Sequence, residues 1–110
     1  MDDGERTEVS RAFHELVNMK PAALEKWLDT DESRSAGQHK DGGESTGHAS
    51  GRRIVEILRA KKSDLSDDDY QHMRKVVGYI RRHLAQRPSG DVRDTRWRYS
   101  LMNWGHDPLE

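Results

Sequence analysis

Apolar residues fall at helical spacing in five stretches of this chain. No stretch shows the alternation of period two that a half-buried strand requires. Over 7–18, Val9, Ala12, Phe13, Leu16 and Val17 stand at i, i+3, i+4, i+7 and i+8, which is one face of an amphipathic helix. In KPAALEKWLDT, Pro21 suits a first helical position and Leu24, Trp27 and Leu28 form the buried stripe. A third helix is predicted over 51–62, with Ser50 as N-cap, Ile54, Ile57 and Leu58 inward, and Lys61 snorkelling from the apolar face. The fourth pattern is the clearest. Tyr70, Met73, Val77, Ile80 and Leu84 mark a helix over 67–87, capped by Ser66, with Asp67, Asp68 and Asp69 in its first turn and Pro88 as its stop. A last helix is predicted within DTRWRYSLMNW, where Trp97, Leu101 and Trp104 share a face and Gly105 ends it.

Between these patterns, residues 30–50 are rich in Ser, Gly, Asp and His and lack a large apolar anchor. A stretch of that length and composition predicts a long flexible loop, and residues 1–6 are expected to be a flexible N-terminus. The fold class that follows is all-α: four or five short helices in one small domain over 7–110. Only 32% of the 110 residues are apolar and 35% are charged, so the core has to be thin.

Charge alters this picture more than composition does. The formal net charge is −1, yet residues 1–51 carry 6 basic and 11 acidic side chains, whereas residues 52–98 carry 13 basic and 7 acidic. An acidic front and a basic middle would steer anionic partners or favour head-to-tail association of copies. There is no cysteine, which excludes disulfide frameworks and thiolate-bound zinc. No apolar run approaches the length of a membrane span and the first residues are acidic, so a cytoplasmic protein that does not enter a membrane is expected.

The segment GGESTGHASGRR, 42–53, matches two catalytic patterns on paper. Gly43 to Gly47 fit G-x-S-x-G around Ser45, but a nucleophile elbow needs a strand before the serine, and none is predicted. Gly42 and Gly47 have phosphate-loop spacing, but His48 and Ala49 stand where lysine and a hydroxyl residue are required. Metal binding has little support. His72 and His83 share a helix face, yet at ~1.5 Å per residue they stand about 16 Å apart. No catalytic residue, metal ligand or cofactor is therefore expected.

The basic residues lie on helices. Arg52, Arg53, Arg59 and Lys62 belong to the third predicted helix and Arg74, Lys75, Arg81 and Arg82 to the fourth, while Arg96 and Arg98 bracket Trp97 near Tyr99. These ten are the candidate nucleic-acid-binding residues, contacting phosphates and, around the aromatics, bases. The competing reading is a protein-interaction or self-associating helical module, in which the stripe from Tyr70 to Leu84 meets a partner or a second copy.

The stretches FHELVNMKPAALEKWL, RRIVEILRAKKSDLSDDDYQHMRKVVGYIRRHLAQRP and DTRWRYSLMNWGHDP resemble the small bacterial and fungal proteins of domain-of-unknown-function family 3140. The resemblance extends over nearly the whole chain. Members of that family are often labelled DNA-binding proteins, so the resemblance implies a nucleic-acid partner and brings no catalytic residues with it.

Overall fold

The computed structural model describes residues 1–36 and 45–110. Among these, six α-helices and one 3-10 turn are present and there is no strand, as the hydrophobic periodicity requires. The helices are α1 (Asp3–Leu16), α2 (Pro21–Leu28), α3 (Asp31–Ser35), α4 (Thr46–Arg59), α5 (Asp67–Leu84) and α6 (Arg96–Asn103). The 3-10 turn, Lys62–Asp64, lies between α4 and α5.

Local rules account for most of the boundaries. Ser66 and Asp69 form a reciprocal capping box at the start of α5. Pro21 opens α2, and Gly105 ends α6 at φ 85°. There the Gly105 N–H reaches the Met102 carbonyl and the His106 N–H reaches that of Leu101, a Schellman closure.

Four features of the helix layout depart from expectation. α1 begins at Asp3 because the Asp2 carboxylate caps it, accepting the Glu5 N–H at 2.8 Å. Residues 1–6 are held to α5 by the Met1 ammonium on Asp67 and by Arg6 over the Tyr70 ring. α4 begins five residues before the expected cap: Ser45, not Ser50, accepts the His48 N–H, while Ser50 lies buried inside the helix. The same helix ends at Arg59, so Lys61 follows it and is exposed rather than snorkelling from its apolar face. Finally, α3 occupies part of the expected loop. It has no apolar stripe to announce it and is fixed through buried Ser33. The remainder of that loop, 37–44, lies outside the described residues.

The core joins two layers. α1 lies along α5, and their shared apolar faces bury Phe13, Tyr70, Met73, Val77 and Ile80. α2 packs on α4, and α6 touches α2, α3, α4 and α5. The stripe from Tyr70 to Ile80 is thus covered from within the chain. Among the described residues, the exposed large apolar side chain is Leu109.

The approach of α4 to α6 is set by glycine. A Cβ on Gly51 would stand 2.5 Å from the Asn103 carbonyl oxygen and 2.7 Å from Leu28 Cδ2. Backbone, rather than a flexible side chain, is in the way. Gly51→Ala is expected to lower stability by about 1–3 kcal/mol, the range for overpacking, despite the better helix propensity of alanine. Chemical denaturation followed by circular dichroism measures it; a stabilised variant would contradict the close approach.

Candidate functional site

Lys75, Tyr79, Arg82 and His83 follow one another around α5 on the side that faces α6. On an α-helix, steps of three, four and seven return to one face, so these four form a single strip. α6 contributes Arg96, Ser100 and Asn103, with Trp104 just past its end, and the first turn of α4 contributes Thr46 and Gly47. Between them lies an open cleft of about 740 Å³. Among the described residues its lining includes three cations and no carboxylate.

Tyr79, His83 and Trp104 of its lining belong to a run of near-parallel rings that continues behind it to His72 and Trp97. Tyr79 stacks on Trp104 at 4.2 Å between centroids with 13° between planes. His83 follows Tyr79 at 5.2 Å, Trp97 follows His83 at 6.1 Å, and His72 flanks Trp104 at 6.4 Å. A pair such as Tyr79 and Trp104 contributes roughly 0.5–1.5 kcal/mol beyond area burial. Trp97 and Trp104 are 8% and 4% exposed, so they are core residues, and Tyr79 and His83 present the accessible ring surface. The Trp97 indole N–H also donates to the His83 carbonyl at 2.7 Å, satisfying a carbonyl at the end of α5.

The two histidines of this ring run supply rings rather than charge. Burial, then the nearby Arg53 and Lys75 charges, lower the His72 pKa from 6.5 to about 4 against the weaker opposite pull of Asp69. The His72 Nε2 stands 2.9 Å from Ser50 Oγ. Burial lowers the His83 pKa as well, and it raises that of the Tyr79 phenol. The positive field of the cleft therefore comes from Lys75, Arg82 and Arg96. Arg82 folds back over Gly78, where a Cβ would stand 3.0 Å from its guanidinium. Arg96 donates to the Ser35 carbonyl at 3.0 Å, an anchor that leaves its charge uncompensated by any acid among the described residues.

The ten candidate cations separate into groups. Among the described residues four are matched with carboxylates: Arg53 with Asp69 at 3.4 Å, Arg59 with Glu25 at 2.7 Å, Arg74 with Glu5 at 2.9 Å, and Arg98 with Asp107. The last is a two-bond pair, Nε and Nη2 each 3.1 Å from one carboxylate oxygen, and it is mostly buried. Burial acts against the charged Asp107, but the Arg98 bonds and the Leu109 N–H hold its pKa below the usual carboxylate range. Lys75, Arg82 and Arg96 converge on the cleft. Arg81 and Lys62 are exposed elsewhere, and Arg52 lines a second groove of about 530 Å³ with Arg59, Glu25, Glu56 and His48.

The sequence puts Lys75 and Arg82 on the fourth predicted helix and Arg96 beside Trp97. Sequence reasoning missed the roles of Asn103, Ser100 and Gly47, which have no spacing signal before α6 is docked.

A family model described as "Protein of unknown function (DUF3140)" matches residues 12–102. The chain belongs to that family. The DUF3140 match runs from the middle of α1 almost to the end of α6, taking in the cations of the cleft while Asn103 and Trp104 fall just beyond it. No curated protein and no solved structure matches the chain.

No three His, Asp or Glu side chains gather to hold a metal ion among the described residues. None of the described helices is long and apolar enough to cross a membrane. The close Ser50–His72 pair is not a nucleophile and base in a cleft: Ser50 is 5% exposed and neither residue lines either groove.

The histidine shift has a measurable consequence. Unfolded His72 takes a proton near 6.5 and folded His72 only near 4, so between these values the unfolded chain binds more protons. Stability should therefore fall as pH is lowered from 6.5 toward 4. Thermal melts across that range should show a shallower decline for His72→Gln than for the native chain; an unchanged slope would remove His72 as its source.

Proposed function

We propose that this DUF3140 protein is a non-enzymatic nucleic-acid-binding protein that contacts phosphates through a basic helical surface centred on the cleft between α4, α5 and α6. The observation that carries this reading is the convergence of Lys75, Arg82 and Arg96 on one cleft with no carboxylate among its described lining residues. Cations paired with acids in the folded chain have less to gain from a phosphate, whereas unmatched ones release counterions when they meet one. Arg81 and Lys62 extend the positive surface outside the cleft, and Arg52 lines the second groove beside Glu25 and Glu56. Phosphate contacts position a strand without reading its sequence, so binding is weakly specific and strongly dependent on salt.

A self-associating module has less support, since the α5 stripe it would use is buried against α1 and the rest of the core.

Labelled DNA and RNA titrated across salt concentrations provide the test. Native protein should bind at low salt with log K falling linearly in log salt, and removing one phosphate-contacting cation should lower that slope by about one. Arg82→Ala should do so, and Arg74→Ala, whose guanidinium already faces Glu5, should change affinity by less than about twofold. Absence of binding at low salt to any nucleic acid sinks the reading.

A further inference from the structure

We propose that the cleft receives one unpaired nucleotide at a time, phosphate toward Lys75, Arg82 and Arg96 and base against the ring wall of Tyr79 and His83. The protein then prefers single strands to duplex. This inference rests on the nucleic-acid reading above and narrows its substrate class.

Uncompensated charge is concentrated at the cleft rather than spread along a face. Lying along a duplex calls for cations spread over an extended face so that they meet successive phosphates. The residues that would spread such a face, Arg53, Arg59, Arg74 and Arg98, each stand against a carboxylate. Arg81 shares the Arg74 edge of α5, away from the cleft, and Lys62 sits in the turn before α5. What remains concentrated is the group of three around one concavity.

Size and surface agree with this layout. A volume of about 740 Å³ falls within the ~300–1,000 Å³ of clefts that enclose small molecules. Lys75, Arg82 and Arg96 are exposed around this cleft, whereas the half-buried Tyr79 and His83 rings are reached by a unit that enters it. A paired base keeps its faces within the duplex stack, whereas an unpaired base can leave the strand and lie against rings. The combination of cationic groove and aromatic surface is the one that suits single strands irrespective of sequence.

The ring wall is also rigid. Tyr79 is fixed by its stack on Trp104, and the neighbouring Asn103 is anchored to α2 and α3 by its amide bonds. The wall is in place before a ligand arrives, so little ordering opposes binding.

A free nucleotide and a strand offer the cleft the same chemistry, and the experiment separates them. Fluorescence anisotropy is measured with a labelled single-stranded 12-mer, the same sequence as duplex, and unlabelled nucleoside 5′-monophosphate as competitor. Single strand should bind about tenfold or more tighter than duplex, a ratio set by one stacked base. The monophosphate should displace it. Arg82→Ala with Arg96→Ala should weaken single-strand binding by about tenfold or more, a loss typical of two charge-assisted contacts, while Arg81→Ala should stay within about twofold. Circular dichroism of each variant verifies folding, and Tyr79→Phe, which keeps the ring, should retain binding even if a smaller replacement unfolds the wall.

Duplex bound as tightly as single strand, or Arg81→Ala as damaging as the cleft pair, overturns this inference and leaves the nucleic-acid reading standing. Monophosphate binding without strand binding overturns the single-strand inference together with the nucleic-acid reading, and leaves a cleft for a free nucleotide. No binding of any of the three overturns both.

Discussion

One buried amide fixes where α6 can lie. Asn103 is 1% exposed, and its side chain accepts from the Trp27 indole N–H at 2.8 Å and the Ser33 hydroxyl at 2.6 Å while donating to the Ser33 carbonyl at 3.0 Å. Leaving such a group without partners would cost about 1–3 kcal/mol, so α2, α3 and α6 are positioned together or not at all. The Asn103 carbonyl in turn faces Gly51, which lets α4 come within a distance that no side chain would allow. Once α6 is seated in this way, Trp104 meets Tyr79 and Trp97 meets the end of α5. The ring wall and the cleft before it follow from that placement.

The same economy of polar groups recurs at the helix ends. A helix leaves its last carbonyls without internal partners. Here side chains distant in sequence meet them: His106 Nδ1 stands 2.6 Å from the Leu16 carbonyl, His48 Nε2 2.7 Å from that of Leu28, and the Trp97 indole N–H reaches His83. Three of the polar aromatic residues thus tie one element's end to another element. With an apolar share of 32%, the chain depends on such ties more than a larger core would require.

Much of the architecture was legible in local patterns. The stripe from Tyr70 to Leu84, the Ser66 cap and the Gly105 stop are governed by neighbours three or four residues away, and each element appears where its pattern stands. α3 was not legible because it buries a serine rather than an apolar stripe, and Ser33 makes sense only beside Asn103. The start of α4 was misplaced for a related reason. Ser50 has the residue type of a cap, but it lies inside the helix that Ser45 caps, with its hydroxyl 2.9 Å from Nε2 of His72, 22 residues away.

By itself the sequence determined the helical class, the core stripes, the Ser66 cap and the presence of an excess of positive charge between residues 52 and 98. Helical period and capping are local, so a single chain carries them openly. Which of those charges remain uncompensated was decided only by the tertiary structure. Arg74 meets Glu5 across 69 residues and Arg59 meets Glu25 across 34, whereas Lys75, Arg82 and Arg96 meet one another around a cleft. Pairing between distant charges depends on which helix faces are brought together, and spacing along the chain carries no record of that.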